Sequence, residues 1–150
     1  MKIINNKYIT NTQELLNYRV IDGISFLNRD DQKFIVDAAN HDIDKIKEWF
    51  NIIGIKRDDI SIMADNYIVY TVNGKTLMIS DLSSGERLLL YTLACREVNK
   101  QGIILKSLFE RLGSRLTKVA EEVLKDYNNI IVIWYNTRPL SLKQFEVKEI

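Results

Sequence analysis

A chain of 150 residues, 46% hydrophobic and 27% charged, has the balance of an ordinary globular protein and enough length for a hydrophobic core. Its 21 basic and 20 acidic residues leave a net charge of +1, so any binding of nucleic acid needs a local patch rather than a whole-chain field. A lone cysteine, Cys95, excludes an internal disulfide, and the absence of a long apolar run or a signal-type start leads us to expect a cytosolic protein with no membrane contact.

In chain order, Lys2-Ile3-Ile4 and Lys7-Tyr8-Ile9 flank Asn5-Asn6 and predict a short hairpin over 2–10, because asparagine tolerates the left-handed backbone of a tight turn. A single helical turn follows at 12–16. Loose alternation around Asp22-Gly23 predicts a second hairpin over 18–27. Residues 30–40 form a predicted helix with Phe34, Ile35 and Ala38 on one side and acids in its first turn. Asp42 opens another, in which Ile43, Ile46, Phe50 and Ile53 recur at helical spacing and Gly54 occupies the C-terminal cap position. His41, the only histidine, lies between them with no second histidine or cysteine pair nearby, which argues against a metal site. Trp49 fits the core.

Strands are expected at 60–63, 67–72 and 75–79, the last two joined by Asn73-Gly74, the strongest short hairpin signal in the chain. The middle strand is apolar on both faces, so one face meets the core and the other is open to a partner. A helix at 84–99 is apolar nearly all round and should be buried. A buried strand at 102–109, a helix at 114–127 striped by Leu116, Val119, Ala120, Val123, Leu124 and Tyr127, and a strand at 130–135 make a predicted βαβ unit with parallel strands. Leu140, Leu142, Phe145 and Val147 suggest a final edge strand. The expected architecture is α/β, a single domain with a parallel βαβ core and an antiparallel hairpin layer.

The stretch Leu82-Ser83-Ser84-Gly85-Glu86-Arg87 at the start of the 84–99 helix admits two readings. Ser83 with Glu86 is the spacing of a capping box. Two serines and a glycine at a helix start also suit an anion, since unpaired amides and the helix dipole face it. The wording resembles the signature motif of ABC-type ATPases in the form used by SMC-like and OLD-like families. Gly102-Ile103-Ile104-Leu105 resembles the strand leading to Walker B, Leu112-Gly113-Ser114-Arg115-Leu116 the loop after it, and Ile130 to Ile133 the strand before the switch histidine. The resemblance spans about 58–136, so it assigns 58–150 to the C-terminal half of such a domain and leaves 1–57 unplaced. In those families the signature serine and glycine contact the γ-phosphate of ATP held by the opposing subunit; this implies Ser83, Ser84, Gly85 and Glu86 as a nucleotide or partner contact.

The chemistry is missing from the matching positions. Lys106 and Ser107 stand where Walker B ends in an acid pair, Asn136 at the switch histidine and Gly113 at the D-loop aspartate, and no P-loop motif occurs. Lysine offers no lone pair to a metal and serine is a poor base at neutral pH. The resemblance therefore implies a degenerate, non-catalytic ATPase-like protein with no cofactor of its own, which binds and regulates or inhibits a partner ATPase and meets only the ATP that the partner holds. Two alternatives stay open. Arg87, Arg96, Lys100, Lys106, Arg111, Arg115 and Lys118 give the second half a basic bias that would suit a DNA- or RNA-binding accessory protein. A nucleotide-independent interaction module, self-associating into a homo-oligomer, is the other.

Overall fold

The computed structural model describes residues 2–5, 19–22, 28–98, 103–106, 112–124, 130–134 and 146–147. The fold is mixed α/β. The chain divides into two compact units, one comprising 1–23 with 99–150 and the other 24–98. The opening strands pair with the last third of the chain.

The unit 24–98 begins with α1 (Arg29–Ala38), whose capping box ties the Asn28 side chain to the Asp31 amide at 2.8 Å and the Asp31 carboxylate back to the Asn28 amide at 3.2 Å. Its inward face carries Gln32, Ile35 and Val36. Asn40 and His41 then turn the chain through the left-handed region, at φ 55° and 56°, and the His41 ring meets the Asp37 carboxylate at 3.0 Å on the surface. Asp42 caps α2 (Ile43–Ile53) by accepting from the Asp44 amide at 2.9 Å, and Gly54 ends it at φ 83°. Ile46, Trp49, Phe50 and Ile53 are buried at the spacing that one helix face requires.

Three short strands, β3 (Asp59–Ile62), β4 (Ile68–Val72) and β5 (Lys75–Met78), form an antiparallel sheet in that order. Asn73 and Gly74 both have positive φ, 51° and 77°, as a two-residue hairpin turn of the primed type demands. Ile60, Ile68 and Tyr70 are buried, and the Tyr70 ring meets Phe50 edge-on at 5.7 Å. Gln32, itself buried, accepts a hydrogen bond from the Ile68 amide at 3.3 Å and so ties α1 to β4. Helix α3 (Ser84–Val98) packs against α1 and α2, and every residue from Leu88 to Cys95 is buried, as its all-round apolar pattern requires. Within that run the Thr92 hydroxyl donates to the Leu88 carbonyl at 2.7 Å.

In the other unit, β2 (Arg19–Asp22), β6 (Ile103–Lys106), β7 (Ile130–Trp134), β1 (Lys2–Asn5) and β8 (Glu146–Val147) lie side by side in that order, each pair parallel. Helix α4 (Ser114–Leu124) lies between β6 and β7 in sequence and buries Leu116, Ala120 and Val123. The first arm of each expected N-terminal hairpin is a strand of this sheet, paired with distant strands. Strand β1 is flanked along its length by β7 and, at Lys2 and Ile3, by β8 on the other side. Strand β2 pairs with β6, eighty-odd residues on. The second arms of both hairpins, the turn at 12–16 and the helix beyond Leu124 lie outside the described residues. The expected edge strand is present as Glu146–Val147, at the margin of the sheet.

Candidate functional site at the start of helix α3

Strand β5 runs into a single 3-10 turn, Ile79–Asp81, before the chain enters α3. The Asp81 carboxylate accepts from the Met78 amide at 2.8 Å and closes this turn. Ser83 then caps α3. Its hydroxyl accepts from the Glu86 amide at 3.2 Å, and the Glu86 carboxylate accepts from the Ser83 amide at 3.1 Å. The capping box read from the spacing is thus built in both directions. The Arg87 guanidinium folds back along the loop and donates to the carbonyls of Ser80 at 3.0 Å and Leu82 at 2.7 Å. Four residues of the helix start therefore hold the preceding turn in one shape.

Accessibility within the motif is uneven. Ser83 and Ser84 are exposed, Glu86 is half-buried and Gly85 is buried. The resemblance implies a glycine open to close approach by a phosphate, whereas here Gly85 is packed inside and the outward surface belongs to the two serines. Among the described residues the Ser84 amide has no hydrogen-bond partner, as expected for the first turn of a helix. The surroundings are acidic. Burial first, then the charges of Asp81 and Glu86, push the Tyr70 phenol above its ordinary 10.0.

Lys106 is the last residue of β6, in register with Asp22 of β2 and Ile133 of β7, and belongs to the unit that does not contain the signature-like loop. Ser107 and Asn136 lie outside the described residues. Gly113, exposed just before α4, accepts through its carbonyl from the Thr117 amide at 2.9 Å and the Thr117 hydroxyl at 3.0 Å, the work of a helix start. Among the described residues no group of three or more His, Cys, Asp or Glu side chains is placed to hold a metal ion. No described helix is long and apolar enough to cross a membrane. Of the seven basic residues that suggested nucleic acid, Arg87 is committed to loop carbonyls, Arg115 and Lys118 are exposed on α4, and Lys100 and Arg111 lie outside the described residues. The roles of Arg87 and Asp81 as braces were not read from the sequence; their signal is only a charged residue three to seven positions from a backbone group it can reach.

No protein-family model matches the chain, and no curated protein matches it.

Proposed function

We propose that this chain is a non-catalytic, ABC-ATPase-like protein that binds a partner ATPase, and regulates or inhibits it, through the loop Ser83–Glu86. The observation that carries this reading is the preformed loop. The capping box and the Arg87 brace fix its backbone while Ser83 and Ser84 face solvent. A surface that needs no ordering on contact loses less entropy when it binds. The wording of Leu82 to Arg87 and the succession β6, α4, β7 support treating 58–150 as a partial ATPase-like domain with a parallel βαβ core. Any nucleotide in this arrangement belongs to the partner, and the contact falls to Ser83 and Ser84 rather than to a glycine cradle.

The test uses Ser84→Asp. Residue 84 is exposed and makes no capping bond, and an acid in the first turn of a helix suits its dipole, so stability should stay within about 0.5 kcal/mol of the parent. A carboxylate there would repel a partner-held phosphate. Capture of an ATPase from host extract should require ATP with the parent chain and vanish with Ser84→Asp. Equal capture by both proteins, with or without ATP, would make the loop a helix cap and nothing more.

A further inference from the structure

Asn73-Gly74 is the one Asn-Gly pair in the chain. Its environment bears on chemistry as well as on turn geometry. Both residues are exposed, and a Cβ built on Gly74 would meet nothing within 4 Å, so among the described residues nothing beyond the two neighbours crowds Gly74. Among the described residues neither the Asn73 side chain nor the Gly74 amide has a hydrogen-bond partner. The Asn73 amide, by contrast, donates to the Asp58 carboxylate at 2.7 Å, while the Asp58 amide donates to the Thr71 carbonyl at 2.7 Å. Asp58 thereby clamps the end of β4 to the start of β3, and the clamp holds the backbone amide of the same residue that carries the side-chain amide.

We propose that Asn73 is a site of spontaneous deamidation whose products loosen this clamp. The Gly74 amide nitrogen attacks Cγ of Asn73. An N–Cγ bond forms as the Cγ–Nδ2 bond breaks, the amide proton leaves with the departing nitrogen as ammonia, and a five-membered succinimide remains. Water then adds to one of the two ring carbonyls, opening the ring to aspartate or isoaspartate at position 73. No oxidant or reductant takes part. Glycine matters because any larger residue following the asparagine would crowd the attacking nitrogen. Either product puts a new carboxylate on the residue whose amide the Asp58 carboxylate holds, and like charges at that range repel. Isoaspartate also adds one carbon to the main chain, which a two-residue primed turn has no room for.

The experiment incubates the whole chain in mildly alkaline buffer and follows each asparagine-containing peptide by mass. Asn73→Gly serves as control; it retains a residue that accepts positive φ and has no side-chain amide. The 73–74 peptide should gain the mass of NH2 replaced by OH ahead of every other asparagine peptide, with isoaspartate detectable by its methyltransferase. Thermal unfolding of the aged parent should move to lower temperature while aged Asn73→Gly holds its starting value. Fresh Asn73→Asp should unfold below the fresh parent, which separates the charge effect from the longer main chain. Deamidation appearing first at another asparagine, or no mass gain at 73, would overturn the proposal, as would a gain at 73 with unchanged unfolding.

Discussion

Ser83 and Glu86 hold each other's backbone amides, so each contributes to the start of α3. Ser83→Ala should lower stability by about 1 kcal/mol, the usual effect of deleting a cap, as measured by urea unfolding. A loss near zero would mean that Arg87 alone keeps the loop in place. Tyr70 couples the same loop to pH. Its phenol is pushed above the ordinary 10.0 by burial and then by Asp81 and Glu86, so the folded protein keeps this proton longer than the unfolded chain does. The associated stability is fully present below pH 10.0 and is lost as pH rises through the higher folded value. Tyr70→Phe should therefore make the alkaline fall in stability shallower than in the parent. Parallel curves for the two proteins above that pH would contradict the shift.

Elements in the unit 24–98 owe their boundaries to signals a few residues apart. Asp42 and Gly54 bracket α2, Asn73 and Gly74 turn β4 into β5, and Ser83 opens α3, each as its residue type demands. What local pattern leaves open is how tightly an element is enclosed. Helix α3 presents apolar residues in every direction and is buried accordingly, with Leu90 at 0% exposure. Leu90→Ala should cost about 2–5 kcal/mol in chemical denaturation, since neighbours on all sides cannot collapse fully into the gap. A cost under about 1 kcal/mol would imply that the helix relaxes as a whole. The αL backbone at Asn40 and His41 was not read from the sequence, although asparagine and histidine enter that region more readily than most residues. Neither is glycine, and the turn between two capped helices sets their φ values.

At the scale of the whole molecule, the proposed likeness to a degenerate ATPase leads to a functional expectation. Purified protein should show no Mg2+-dependent ATP turnover, because residues 106 and 107 are lysine and serine. Turnover that disappears on Lys106→Ala would instead make that lysine catalytic. The division into units shows where sequence reading ends. By itself the sequence determined the caps, the hairpin turn and the helical faces, because those depend on hydrogen bonds and side-chain spacing within about four residues. Only the tertiary structure decided that Lys2–Asn5 lies between β7 and β8, that Arg19–Asp22 pairs with β6, that Gly85 is inside, and that Arg87 braces the loop behind it. A strand's backbone groups pair equally well with any neighbour, so the choice falls to whichever arrangement buries the most apolar surface across the sheet, and that depends on residues more than a hundred positions away.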